Sequence, residues 1–212
     1  MSDQRDKILA CACELYLEDG FEGFSMRKLA SSVGVTAPAL YRHYSSKERV
    51  LLDVMGEAYQ RMAAHLYRAL EGGTPAERMR MAGMGYLSFA LEHPRLYEVL
   101  FASPDLMGIH DAPHELESQW SAIHQFWKDR VRECVDSGIY RDGDLEGIGH
   151  TMWAHAHGLI ALYLSGTLRM DEDEFTDVYI GSALRMLRGI ATPEYMQELE
   201  AAQAAASGDA VA

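Results

Sequence analysis

Residues 35–48, VTAPALYRHYSSKE, place a proline and two alanines ahead of Tyr41, Arg42, His43 and Tyr44. A helix that only filled a core would carry neither a proline near its middle nor so many polar aromatic residues in a row. The proline is accommodated if Thr36 caps a helix: Pro38 then falls in the first turn, where its missing N–H has no intrahelical partner to lose. Upstream, Ser25 is a good N-cap for a short helix to Val33 that turns Met26, Leu29, Ala30 and Val33 inward, and Gly34 supplies a tight turn between the two. Downstream, Ser45 to Glu48 reads as a capping box that launches a longer helix through Leu51, Leu52, Met55 and Tyr59 to about Leu70.

Outward from this helix, glycine turn and helix, the 212-residue chain reads as all-α, about nine helices in all. Ala, Leu, Met, Glu and Arg recur at three- and four-residue intervals and strand-like alternation is scarce. A first helix over residues 3–19 ends at Gly20. Thr74, Pro75 and Glu77 box the start of a helix to His93, and Pro94 begins a short one to Phe101. Helices over 115–137, 145–168 and 171–190 complete a bundle, with 102–113 as the expected mobile loop. The expected organisation is a helix-turn-helix domain over 1–50, a second helical domain over 51–192, and an Ala-rich tail over 193–212 that frays.

Charge is unevenly placed. The net charge is −13, yet residues 1–50 are neutral, and residues 25–49 carry five cations against Glu48 alone. A basic island on an acidic chain points to a polyanion held at one end. Three cysteines without paired spacing argue against a disulfide scaffold and fit a reducing cytoplasm, and charges through the first twenty residues exclude a secretory leader. Residues 147–168 lack Asp, Glu, Lys and Arg over a length that could span a bilayer core of roughly 30 Å. His150, His155 and His157 within it favour instead a helix buried by protein, and no membrane partner is expected.

A short helix across a glycine turn from a second one presents a rod of the right width to the DNA major groove. Small residues at Thr36, Ala37 and Ala39 let the backbone approach the bases. Arg42 can fork onto guanine or pair with phosphate, while Tyr41, His43, Lys47 and Arg27 are placed for phosphate oxygens, Lys47 at a helix N-terminus. Tyr44 is expected to pack inward under Leu51.

The run FEGFSMRKLASSVGVTAPALYRHYSSKERVLLDVM closely resembles the DNA-binding domain of the tetracycline-repressor (TetR) family of bacterial regulators, over about residues 5–60. It shares the Arg-Lys-Leu-Ala, the Gly-Val turn, and the Leu-Tyr-x-His-Tyr ending followed by Ser-Lys-Glu. The resemblance implies DNA contacts at Met26, Arg27, Ala37, Pro38, Ala39, Tyr41, Arg42, His43 and Lys47, and a C-terminal ligand-binding and dimerisation domain. Ala37 and Ala39 offer no hydrogen-bonding reader, which leaves Arg42 as the candidate for specificity. Trp153-Ala-His-Ala-His157-Gly158 and HPRLYEVLF, residues 93–101, resemble a Trp-His-Gly subgroup of that family.

In the larger part, Trp153, His157, Ile160 and Leu164 share one helical face, and Tyr86, Phe89, Phe101, Met107, Trp120 and Trp127 are further candidates to line a pocket for a small, largely apolar effector. The same side chains serve equally as an ordinary core. Helices 145–168 and 171–190 are the expected homodimer surface, with Ile160, Leu164, Phe175, Val178, Tyr179, Ser182 and Met186 on it. Nine histidines raise the question of metal, but His110 with His114, and His150, His155 and His157, lack the spacing or partners of a ligand set, so neither metal nor cofactor is expected. The reading is a dimeric regulator, most simply a repressor released from a palindromic double-stranded operator by its effector. The alternatives are a helical enzyme using His155 or His157 as acid/base, with Tyr163 or Glu146 assisting, and an interaction module without DNA binding; no nucleophile motif or phosphate loop supports the enzyme.

Overall fold

The computed structural model describes residues 2–101 and 114–209, and over these the chain is all-α. In chain order the helices are α1 (Ser2–Gly23), α2 (Met26–Val33), α3 (Ala37–Tyr41), α4 (Lys47–Tyr67) with a 3-10 turn (Arg68–Glu71), α5 (Pro75–Glu92), α6 (Pro94–Phe101), α7 (His114–Asp136), α8 (Leu145–Leu164), α9 (Glu172–Ile190) and α10 (Pro193–Asp209). The loop expected over 102–113, with Met107 and His110, lies outside the described residues. Two compact units form: Met1–Leu66 with Ser88–Ile123, and Tyr67–Leu87 with His124–Ala212.

The expected punctuation fixes most helix ends. Ser25 Oγ accepts from the Lys28 N–H at 3.3 Å and Thr36 Oγ1 from the Ala39 N–H at 3.3 Å. Gly34, at φ 76° and ψ 30°, closes α2 in a Schellman motif, its N–H donating to the Ser31 carbonyl and that of Val35 to the Ala30 carbonyl. Two expectations shift. Ser46 rather than Ser45 caps α4, accepting from the Arg49 N–H at 3.4 Å. Over its described residues the tail forms a tenth helix, Pro193–Asp209, which Pro193 opens and Thr192 Oγ1 caps by accepting from the Tyr195 N–H at 3.3 Å. Gly20 breaks α1 as expected, at φ 67° and ψ −169°, and Phe21–Gly23 add a further turn beyond it.

In the first unit, Ile8 and Ala12 of α1, Leu29 of α2, Leu40 of α3, Val50, Leu51 and Val54 of α4 and Leu96 of α6 are fully buried. The second unit centres on Met79, Val131, Cys134, Ile139 and Tyr140. A two-stranded clip ties its turns: the Arg141 N–H donates to the Ile190 carbonyl and the Thr192 N–H to the Ile139 carbonyl, both at 3.0 Å, with Thr192 Oγ1 donating to the Gly138 carbonyl at 2.7 Å. The three cysteines are free, and burial pushes the Cys13 and Cys134 thiols up to about 11, which keeps them protonated and unreactive. Among the described residues no helix is long and apolar enough to cross a membrane. Helix α8, which carries no Asp, Glu, Lys or Arg beyond Glu146 in its first turn, is not enclosed by its own chain, since Ile160 alone along it is buried.

Gly20 occupies backbone space that is essentially restricted to glycine, so Gly20→Ala should cost about 1–3 kcal/mol of stability. Gly34→Ala, left-handed but with open space around the new methyl, should cost roughly 1–2 kcal/mol. Urea unfolding of the two variants checks both, and wild-type midpoints would contradict the assigned conformations.

Candidate nucleic-acid interface and internal cavity

Helix α3 has only five residues, too few to be stable alone, and is held in place from beneath. Leu40 is wholly buried and Tyr44 is 2% exposed, which confirms its inward placement. The Tyr44 hydroxyl donates to Asp53 Oδ2 of α4 at 2.8 Å, and Arg5 Nη2 of α1 donates to the same oxygen at 2.8 Å while its guanidinium lies over the Tyr44 ring. Burial, then the Asp53 bond, pushes the Tyr44 phenol up to about 12, so the hydroxyl remains a donor through the physiological range.

Fixing Leu40 and Tyr44 inward turns the rest of the stretch outward. Thr36, Pro38, Tyr41, Arg42 and His43 are exposed, Tyr41 at 50%, and Ala37 and Ala39 are half-buried at the first turn. Arg27, in the first turn of α2, is exposed as well. Among the described residues neither Arg27 nor Arg42 forms an ion pair, leaving both guanidinium forks available. Two expected contacts stand differently. Met26 is turned into the core at 8% exposure, because it precedes Leu29 and Ala30 on the buried face of α2. Lys47 Nζ donates to the Phe21 carbonyl at 3.0 Å and lies 4.3 Å from the centroid of the Phe21 ring.

In the second unit a cavity of about 560 Å³ is lined from α5 by Met79, Gly83, Met84 and Tyr86, from α7 by Trp127 and Val131, and from α8 by Met152, Trp153, His155 and Ala156. Tyr140, the α9 residues Ile180, Ala183, Leu184 and Leu187, and Tyr195 and Leu199 of α10 also line it, as do the charged Glu77 and Arg80 of α5. Its size lies within the range of about 300–1,000 Å³ that takes small organic molecules. Polar groups in the wall are few. Trp153 Nε1 donates to the Tyr86 hydroxyl at 3.3 Å, the Tyr179 hydroxyl donates to the Gly83 carbonyl at 3.2 Å, and His155 Nε2 is buried with no hydrogen-bond partner among the described residues.

Of the expected lining, Tyr86, Trp127 and Trp153 are there. Phe89, Phe101 and Trp120 belong instead to the first unit, where Phe89 packs between His93 and Tyr97, Phe101 sits against Tyr97, and Trp120 meets the edge of Tyr59. His157 does not line the cavity but stacks on Trp153 at 5.6 Å, and burial holds its imidazole below the ordinary range. The stripe that faces the cavity on α8 is Gly149, Met152, Trp153 and Ala156, a complete helical repeat that sequence reasoning passed over in favour of Trp153, His157, Ile160 and Leu164.

The expected partner-facing stripe needs a similar correction. Ile160, Phe175 and Tyr179 are buried within the chain, Phe175 stacked on Tyr163 at 4.0 Å, and Met186 faces the cavity. Leu164, Val178 and Ser182 are half-buried, and the large apolar side chains left in the open on these helices are Leu162, Ile180 and Leu184. The acid/base alternative finds Tyr163 occupied in that stack and Glu146 paired with Lys128 at 2.7 Å.

Two family models match the chain in order: the bacterial regulatory proteins of the tetR family over residues 8–54, and the tetracyclin repressor-like C-terminal domain over residues 79–187. The HTH-type transcriptional repressor KstR2 of Mycolicibacterium smegmatis is 26% identical over 144 residues, 66% of this chain and 69% of that protein. The HTH-type transcriptional activator FasR of the same species is 26% identical over 161 residues, 76% of this chain and 68% of that protein. Among solved structures, a protein with unknown function from Rhodococcus sp. RHA1 superposes with a TM-score of 0.78 at 25% identity, over 89% of this chain and 96% of that one. With both parts of the family pattern carried on a helix-turn-helix and a cavity-bearing helical unit, the chain belongs to the TetR family of DNA-binding transcriptional regulators.

Proposed function

We propose that the protein is a homodimeric repressor that reads a near-palindromic operator with the exposed side of α3 and the start of α2, and that a small, largely apolar effector entering the second unit's cavity releases it. The observation that carries this reading is the anchoring of α3 by Leu40 and Tyr44, which leaves Tyr41, Arg42, His43 and the first turn facing outward together. DNA binding is assigned to residues 1–50. Ligand binding and dimerisation go to residues 51–192, extended by Tyr195 and Leu199 of α10. Arg42 is the base reader. Arg27, Tyr41 and His43 take phosphates, and Lys47 keeps two ammonium donors for a phosphate beyond its bond to Phe21.

A second copy seated on α8 and α9 would cover Leu162, Ile180 and Leu184, exposed at 44%, 40% and 38%, and the open side of α8. Ile180 and Leu184 also line the cavity, so the partner would close the side on which the effector lies. The effector is an apolar body with one hydrogen-bonding group, which would sit at His155 Nε2. To cause release it must bind the non-operator conformation more tightly than the operator-bound one. A duplex partner places the work in the cytoplasm.

In fluorescence anisotropy against duplex from the sequence upstream of the chain's own coding region, Arg42→Ala should cost about 1–3 kcal/mol on the preferred site and little on random duplex. Arg27→Ala should weaken both alike and reduce the salt slope by about one. Equal losses on both duplexes for Arg42→Ala would remove it as the reader. For the cavity, compounds that displace the protein from DNA should lose at least about tenfold in affinity in His155→Leu when they carry the polar group, on the scale of a hydrogen bond left unmade. Analogues lacking that group should bind both forms equally; a uniform loss would place the polar contact elsewhere.

A further inference from the structure

We propose that His65, Glu92 and His93 form a binding site for a divalent first-row transition ion, zinc or a close relative, that ties the C-terminal end of α4 to the junction of α5 and α6. The site lies in the first unit, separate from the effector cavity, and stands whether or not that cavity binds an effector.

The argument begins with one imidazole. His65 is 8% exposed, and its Nδ1 lies 2.9 Å from the Arg61 carbonyl, which has no proton to give, so Nδ1 carries the hydrogen and donates. In the neutral ring Nε2 is then a lone pair, and it points at Glu92 Oε2 across 3.3 Å. Two acceptors at that separation need something between them, a hydrogen carried by the ring or by the carboxyl, or a metal ion. Donation of the far ring N–H to a backbone carbonyl is the arrangement that orients a metal-ligating histidine. In a tetrahedral zinc site with bonds of about 2.0–2.2 Å, neighbouring donor atoms stand roughly 3.3–3.5 Å apart, which is the observed His65–Glu92 separation.

His93 supplies the third donor. It directly follows α5, and the ligand atoms of all three residues lie within 4.8 Å of one another. Its ring stands edge-on to His65 at 5.9 Å, and Phe89 packs against both imidazoles, at 5.7 and 5.8 Å, walling one side of the cluster. Arg61, the cation facing the cluster, is paired with Glu57 at 2.9 Å. Glu92 is more than half exposed and gives the ion a route in from solvent, with water completing the coordination. Imidazole and carboxylate donors in this number suit a borderline ion rather than magnesium or calcium.

The test is a cobalt(II) titration of the full-length, tag-free chain after chelation. Visible absorption of a tetrahedral cobalt centre should saturate at one ion per chain, be abolished by zinc and be unaffected by magnesium. Glu92→Gln, at an exposed position that leaves the packing untouched, and His93→Gln should each weaken binding at least tenfold while keeping the wild-type circular dichroism. Should His93→Gln fail to fold, Glu92→Gln decides. No saturable absorption would assign the His65–Glu92 gap to a proton and overturn the proposal. Undiminished binding in Glu92→Gln would place any bound ion elsewhere and overturn it equally.

Discussion

Everything proposed for this protein at DNA rests on the seat of a five-residue helix. An α-helix of that length cannot hold itself, so the direction in which α3 presents its side chains is set by what lies under it: Leu40 in the core and the Tyr44 hydroxyl on Asp53. A hydrogen bond to a carboxylate contributes about 1.5–3 kcal/mol, enough to matter against the entropy of ordering so short a segment. The Arg5 arm of the network is more exposed and adds little in energy, but it occupies the same Asp53 oxygen and so fixes where that carboxylate points. Position, more than stability, is what the network supplies.

Electrostatics then decide which part of the surface a polyanion can touch. The chain as a whole carries −13, and two of the five cations between residues 25 and 49 serve the fold itself: Lys28 pairs with Asp19 at 2.7 Å and Lys47 bonds the Phe21 carbonyl. Arg27, Arg42 and Arg49 remain exposed and form no ion pair among the described residues. A duplex is repelled by most of the molecule and attracted where these guanidinium groups are, which favours approach in the productive orientation and makes binding steeply dependent on salt.

The helix-turn-helix was legible because its signals are local. Caps at Ser25 and Thr36, the left-handed Gly34 and Pro38 in a first turn each dictate backbone geometry within a few residues. Side-chain direction was legible only where one apolar stripe exists. Helix α9 has two, Phe175–Tyr179–Met186 and Ile180–Leu184, and periodicity alone does not say which faces its own chain; the aromatic stripe does, because Phe175 stacks on Tyr163. The same ambiguity on α8 exchanged His157 for His155 at the cavity. The cluster of His65, Glu92 and His93 was invisible for another reason, its donors being brought together across α4 and α5 from distant parts of the sequence.

Symmetry would join these parts: in the proposed dimer two copies, each with one anchored α3, meet a duplex on the same face about 34–36 Å apart. Hydroxyl-radical footprinting of the full-length protein on DNA from its own upstream region tests that claim most directly. Two protected patches related by a dyad and spaced by one helical turn, with two chains per duplex by sedimentation, are the predicted result. A single patch occupied by one chain, or uniform protection without preferred sequence, would contradict it.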